Sequence, residues 1–308
     1  MESKKGCLIY NGFWNPSAPP DPVLRLAKAA EERGVHMESV PNTQLTADLG
    51  DGVSIRGVRM GFAFFWDKDI RLARALESAG VRLYNRADAI EVCDDKAATH
   101  LRLAAARLPM PRTLIAPMTY REINDQVEPF CQRAEETLGY PMVMKECYGS
   151  FGGQVFLVHG GEELRRLARE RESRPFLVQE LISCSVGEDY RLYMVGGRCA
   201  AAMRRYSDND FRANIGNGGM GEGYTPSREE VRLAAACCRL LGLDFAGVDL
   251  LHGPDGQPLV CEVNSNAFMA AVSACSGVDV AARIVDHVFS MERGGRPEPL
   301  PSAADTPR

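Results

Sequence analysis

Three oxygen-bearing side chains, Asp249, Glu262 and Asn264, interrupt an apolar stretch toward the carboxyl-terminal end of the chain, GVDLLHGPDGQPLVCEVNSN at residues 247–266. The stretch reads as two strands, 247–251 and 258–263, joined by a Gly-Pro-Asp-Gly turn. Residues two apart on a strand share a face, so Glu262 and Asn264 project together, and the turn folds Asp249 back toward the same patch. Two carboxylates and an amide oxygen suit a hard divalent cation. Magnesium takes few protein oxygens and completes its shell with water and phosphate. The same alternation also describes the solvent face of an edge hairpin, so the pattern has two readings on local grounds.

Two other segments carry phosphate-type chemistry. Lys145 ends an apolar strand (142–145) and precedes a glycine-bearing turn, YGSFGG at 148–153. Backbone N–H groups of such a turn can wrap a phosphate while the ammonium supplies a point charge. The G-x-x-x-x-G-K-[ST] pattern is absent, and the element after the turn reads as a strand, so neither a P-loop nor a dinucleotide fingerprint is present. A plain glycine-rich hairpin is the alternative. The second segment is EDYRLYMVGGRCAAAMRRYSDNDFRAN, residues 188–214. Asp189 and Arg191 share a strand face, Arg204 closes the next strand, and Arg212 and Asn214 share a face again. Polyphosphate chemistry needs such cations where charge develops on transferring oxygens. An exposed arginine-rich sheet face paired with Asp208 and Asp210 explains the same residues.

The elements that must position these groups fall into an ordered series. Strands are expected at 7–10, 36–40, 58–65 and 81–84, with helices at 21–33 and 70–78 between them. Asp21-Pro22 reads as the cap and first residue of the first helix. Strands alternating with helices imply a parallel sheet covered on both faces, closing near residue 86. Helical segments fill 87–108 and stop at Pro109 and Pro111. Residues 112–181 then alternate short strands and two helices as a compact α+β block. The remainder is strand-rich, with amphipathic helices at 228–241 and 278–289. The expected organisation is 1–86, 87–182 and 183–290, with a disordered tail at 291–308.

Composition sets the outer limits. The chain has 308 residues, 45% hydrophobic and 25% charged, enough for two or three packed units. A net charge of −5 argues against nucleic acid as the main partner. Of 36 basic residues only six are lysines (Lys4, Lys5, Lys28, Lys68, Lys96 and Lys145), which makes a lysine at a motif position noticeable. The ten cysteines form no C-x-x-C pair, and several sit in apolar runs as small hydrophobes. The start, MESKKGCLIY, reads as a first strand and not as a signal peptide, and no run approaches the roughly 18 apolar residues of a membrane span. A reducing cytoplasm is the expected compartment, with no membrane partner. The five histidines show no metal-ligand spacing and are assigned no chemistry.

Taken in order, these motifs resemble the ATP-grasp superfamily, and specifically the RimK-type carboxylate–amine ligases. The series is DDK at 94–96, LPMPRT at 108–113, MVMK at 142–145, GSFGG at 149–153 and VQELI at 178–182. It continues with EDYRLYMVGG at 188–197, AMR at 202–204, DFRAN at 210–214, the GVDLL and EVNSN hairpin, and SGVDVA at 276–281. The resemblance spans about 94–289.

It implies an α/β ATP-grasp fold with an α+β lid and an N-terminal parallel α/β domain preceding it. It also implies an ATP- and Mg²⁺-dependent ligase that forms an amide through an acyl phosphate, with Mn²⁺ as a substitute metal. Lys96 and Lys145 would contact ATP phosphates, Lys145 also lying near the adenine. Gly149, Ser150, Gly152 and Gly153 would close over the triphosphate. The backbone of Glu180 and Leu181 would read the adenine edge, and Asp189 would reach the ribose. Arg212, Ala213 and Asn214 would line the nucleotide site, with Arg204 and Arg212 acting on the transferring phosphoryl group. Asp249, Glu262 and Asn264 would hold the metal. The implied partners are a small amino acid and a peptide or metabolite acceptor, and self-association is left open. A thiol or phosphoryl acceptor, or a nucleotide-binding regulator without turnover, remain the competing functions.

Two departures from the family pattern fall at Phe151 and Gln154 in the glycine loop, and at Asn266-Ala267-Phe268 after the metal strand, close to where the carboxylate substrate should sit. Trp14 and Trp66, in or near amino-terminal loops, read as packing residues, with the lining of an acceptor site as the alternative for Trp14. No general base is identifiable.

Overall fold

The computed structural model describes residues 5–14, 18–120, 125–150, 152–171 and 173–295. Phe151 and most of the expected tail lie outside these residues. The amino-terminal part comprises β1 (Gly6–Tyr10), α1 (Asp21–Glu31), β2 (Glu38–Pro41), β3 (Thr46–Asp48), β4 (Ser54–Arg56), β5 (Phe62–Trp66), α2 (Ile70–Ser78) and β6 (Arg82–Tyr84). Four of its strands form a parallel sheet in the order β2-β1-β5-β6. GCLIY and FAFFW are buried throughout, as central strands covered on both faces must be. Period-two alternation sends Cys7, Ile9, Ala63 and Phe65 toward α2, and Leu8, Tyr10, Phe62 and Phe64 toward α1 and the last helix of the chain.

Three expectations are corrected here. The strand expected at 58–65 begins only at Phe62, and a small antiparallel hairpin, β3–β4, precedes it. Asp21 is inside α1 and not its cap, because Val23 and Leu24 already donate to the Pro20 carbonyl; its carboxylate pairs with Arg25. The final helix runs to Glu292, past the start assigned to the tail.

Two short helices follow, α3 (Ala87–Asp94) and α4 (Lys96–Ala105), broken where Asp95 turns out of helical geometry and caps Ala97 and Ala98 with its side chain. Next come β7 (Thr113–Ile115), α5 (Glu128–Leu138), β8 (Met142–Glu146), β9 (Val155–Val158), α6 (Gly161–Glu170) and β10 (Phe176–Glu180). These strands form an antiparallel sheet, β7-β10-β8-β9, whose core with α5 and α6 contains Phe130, Met144, Leu164 and Val178. The last part contains β11 (Glu188–Val195), β12 (Arg198–Tyr206), β13 (Met220–Gly223), α7 (Arg228–Leu241), β14 (Phe245–His252), β15 (Pro258–Asn264), α8 (Ala270–Ser276) and α9 (Val280–Glu292). Its five-stranded antiparallel sheet, β13-β12-β11-β14-β15, packs one face on α7 and the other on α9 and the amino-terminal sheet.

Asn85, fully buried just after β6, ties the first sheet to the third. Its amide donates to the carbonyls of Phe245 and Ser265, both at 2.9 Å, and its oxygen accepts from Asp244 N and Phe245 N at 2.7 and 3.2 Å. Every hydrogen-bonding capacity of the amide is met, and truncation leaves several buried backbone groups unpaired at about 1–3 kcal/mol each. Asn85→Ala is therefore expected to lose about 3 kcal/mol or more, read as a drop in the urea midpoint. A variant as stable as the parent would show that this contact does not hold the sheets together.

Candidate active site

The three sheets meet around a cavity of about 780 Å³, within the range of small-molecule sites. Each sheet sends polar or charged groups into it: Asp67 and Lys68 from the first, Lys145 and the glycine loop from the second, Asp189, Arg191, Arg205, Asp249, Glu262 and Asn264 from the third.

Asp249 and Glu262 are direct cross-strand partners on β14 and β15, and Asn264 opposes Gly247 two residues along. Asn264 turns its amide nitrogen toward Asp249 Oδ2 at 3.4 Å, so its oxygen is the atom left to face the cavity. Asp249 is held by Arg191 through two bonds of 2.7 Å and by Arg205 at 2.9 Å, while Arg205 grips Asp189 at 2.6 and 2.7 Å. Burial alone would raise the Asp249 carboxyl; Arg191 and Arg205 more than reverse that and hold it below the ordinary carboxylate value. Gly247 is required beside this network. A Cβ there would lie 2.6 Å from that of Ala267 and 3.4 Å from Arg191 Nε. The oxygen-donor set fits a hard divalent ion in kind and in placement on one face. Among the described residues no group of three or more His, Cys, Asp or Glu forms a metal cage.

Two buried ammonium groups face these oxygens. Lys96 leaves the first turn of α4, 8% exposed, and donates to the Gly149 carbonyl at 3.0 Å while standing 3.3 Å from Glu262 Oε1. Lys145, 7% exposed on β8, lies 3.7 Å from Cys261 Sγ and forms no ion pair among the described residues. A buried ammonium without a counter-anion is costly.

The glycine loop is tethered from three directions. Lys96 holds Gly149, Lys68 Nζ donates to Ser150 Oγ at 3.2 Å, and Arg212 donates to the Gly152 carbonyl at 2.5 Å while chelating Asp210. Gln154 occupies the space beside Gly149, where a Cβ would sit 2.4 Å from its side-chain oxygen. Glu180, Leu181 and Ile182 line the cavity at the end of β10, with Ala213 and Asn214 also on the wall.

Most of the residues singled out from sequence share this cavity, and two do not. Gly153 lies off its wall, and Arg204 pairs with Glu188 at 2.7 Å and Glu222 at 2.9 Å on the other face of β12. The cause is a one-residue slip. A regular hairpin closed at Val195 and Arg198 would set Arg204 opposite Asp189, but the register shifts between Tyr193 and Met194 and Arg205 takes that place. Arg205 was thus missed, as was Lys68. The available signal for Lys68 was the run WDKDI, where charge follows an apolar strand at the end of a parallel sheet.

Behind Lys96 and Lys145 lies His100. Nδ1 donates to the Lys96 carbonyl at 2.7 Å and Nε2 accepts from Gln179 Nε2 at 3.0 Å, an arrangement met by the neutral ring. Burial, with the charge of Lys145, pushes its pKa down to about 4. The unfolded chain binds this proton near pH 6.5 and the folded chain does not until about pH 4, so the contribution is complete above pH 6.5 and is lost as pH falls toward 4. The urea midpoint is expected to fall across that window, and less steeply in His100→Gln. Equal slopes would remove His100 as the cause.

All ten cysteines are free, and burial raises the thiol of Cys261. Among the described residues no helix is long and apolar enough to cross a membrane.

Sheet order, lid and cavity together define the ATP-grasp class of folds. A crystal structure of a RimK domain ATP-grasp protein from Sphaerobacter thermophilus superposes with a TM-score of 0.71 at 24% identity, covering 92% of this chain and 98% of that one. The family description "RimK-like ATP-grasp domain" matches residues 93–288, and the chain belongs to that family. Beta-citrylglutamate synthase B of Danio rerio is 37% identical over 229 residues, 73% of this chain and 55% of that protein. A probable alpha-L-glutamate ligase of Stenotrophomonas maltophilia is 34% identical over 223 residues, 71% of this chain and 73% of that protein. The chain thus spans little more than half the length of the first of these relatives.

Proposed function

We propose that this chain is an ATP- and Mg²⁺-dependent carboxylate–amine ligase, joining an amino acid such as L-glutamate to a second carboxylate through an acyl phosphate. The observation that carries the reading is Lys145: a buried ammonium without an ion-pair partner among the described residues, across one cavity from two carboxylates and an amide suited to a cation. A metal–nucleotide complex supplies both missing partners. The relatives' names, a citrylglutamate synthase and an alpha-L-glutamate ligase, support glutamate as one substrate.

In this reading a carboxylate oxygen attacks the γ-phosphorus, giving an acyl phosphate and ADP. The amine nitrogen then attacks the acyl carbon, phosphate leaves, and the nitrogen loses a proton as the amide forms. Asp249, Glu262 and Asn264 would hold Mg²⁺ or Mn²⁺, which when bound neutralises phosphate charge. Lys96 and Lys145 take the phosphates, the loop at Gly149, Ser150 and Gly152 covers them, and Arg212 holds that loop down. Glu180 and Leu181 would present backbone to the adenine, with Asp189, Ala213 and Asn214 around the sugar. Residues 1–86 would serve as the acceptor-side domain, 87–182 as linker and lid, and 183–290 as the metal-bearing part. Ten free cysteines fit a reducing compartment, and the cytoplasm is the proposed one.

The test is ADP release over pairs of carboxylates and amines, L-glutamate with citrate among them, followed by a hydroxylamine trap. Hydroxamate formed with MgATP and a carboxylate is the expected result. ADP release without hydroxamate would turn the assignment toward a phosphotransferase.

A further inference from the structure

In the amino-terminal sheet the chain leaves β1 for β2 on one side and later returns to β5 on the other, so strand order reverses between β1 and β5. Open parallel sheets bind ligands in the crevice beyond the carboxyl ends of the strands at such a point. Tyr10 and Trp66 are register partners there, and the next residue on each strand is polar: Asn11 and Asp67, joined by an Asn11 Nδ2 to Asp67 Oδ1 bond of 3.1 Å. This crevice opens into the cavity already described.

Its chemistry is one-sided. Asp67 is 7% exposed, and its donors among the described residues are all neutral: Asn11, Asn42 Nδ2 at 2.9 Å, the Lys68 backbone N–H at 2.7 Å and the Asp69 backbone N–H. It forms no ion pair among the described residues, since the neighbouring Lys68 ammonium is engaged by Asp94 and Ser150. Burial raises its carboxyl above the ordinary value. Asn266 lies two residues beyond the metal-type donor Asn264. It gives its amide nitrogen to the Asp67 carbonyl at 3.0 Å, and its Oδ1 is buried without a donor among the described residues. A carboxylate lacking a cation and an amide oxygen lacking a donor stand on one wall, and both call for N–H groups. The same charge disfavours a carboxylate or phosphate group at this wall.

We infer that the Asp67–Asn266 crevice is the seat of the primary amino group of the amine substrate, with Asp67 as its charge partner. The inference rests on the ligase reading, and it assigns the amine to the amino-terminal sheet and the nucleotide to the other two. Trp14 and Trp66 both line the cavity and are the only tryptophans in the chain, so intrinsic fluorescence reports on this wall.

The experiment is a fluorescence titration of the full chain, saturated with MgADP, against the twenty amino acids and methylamine. The N-acetyl form of the tightest amino acid is titrated in parallel. Expected are saturable binding of the amine, at least tenfold weaker binding of its N-acetyl form, and a tenfold or larger loss in Asp67→Asn with MgADP affinity within twofold of the parent. Asn266→Ala is expected to weaken the amine as well, which keeps the test open if Asp67→Asn folds poorly. Equal binding of the acetylated compound, unchanged affinity in Asp67→Asn, or no response to any amine would overturn the inference. Failure of the parent chain to bind MgADP would instead strike the ligase reading itself.

Discussion

Glu262→Gln is expected to lower MgATP-dependent ADP formation by about a thousandfold or more while leaving the chain folded. The side chain is 30% exposed, stands on the cavity wall and touches Lys96 at 3.3 Å, so glutamine preserves volume and removes only the charge. Loss of Mn²⁺ binding in the presence of ADP, followed by electron paramagnetic resonance, should accompany the loss of turnover. Circular dichroism should stay that of the folded parent, with a modest fall in the urea midpoint because buried Lys96 loses its carboxylate partner. Retained turnover would remove Glu262 from the metal set. Asp249 is a poor choice for the same test. The guanidinium groups of buried Arg205 and half-buried Arg191 depend on it, and stripping one partner from a buried network costs about 3–5 kcal/mol, which confounds activity with folding.

Lys145→Met should produce opposite effects on stability and binding. Methionine keeps most of the side chain's length and apolar contacts while removing an ammonium that is buried and forms no ion pair among the described residues. The urea midpoint is expected to hold or rise. Affinity for MgATP should fall about a hundredfold, the equivalent of roughly 2.7 kcal/mol for a lost charge-assisted contact to phosphate. Isothermal titration gives the affinity directly. A variant that is less stable and binds nucleotide as well as the parent would mean that Lys145 serves the fold and not a ligand.

Much of the architecture was legible because its signals are local. The helix expected at 70–78 is α2 residue for residue, and 228–241 is α7, started by a capping box between Ser227 and Glu230. The ATP-grasp fold expected from the order of motifs is the fold of the chain. The β3–β4 hairpin escaped notice because its three-residue strands carry almost no apolar alternation. The helix α8 lies inside a stretch of small residues where period and length say little.

The residue types of the site, and their order along the chain, were set by the sequence alone: oxygen donors on one hairpin, arginines on another, two lysines on the elements before them. Which of these side chains share a face was not. Both hairpins slip by one residue. In β11–β12 the slip puts Arg205, and not Arg204, beside Asp189; in β14–β15 it lies between Asp249 and Leu250 and sets Glu262, where a regular ladder would set Cys261, opposite Asp249. Side chains alternate with a period of two, so one inserted residue moves every later group to the opposite face. Such a slip is held by packing against α7 on one side and α9 on the other, contacts between segments far apart in the chain. Only the tertiary structure could decide it.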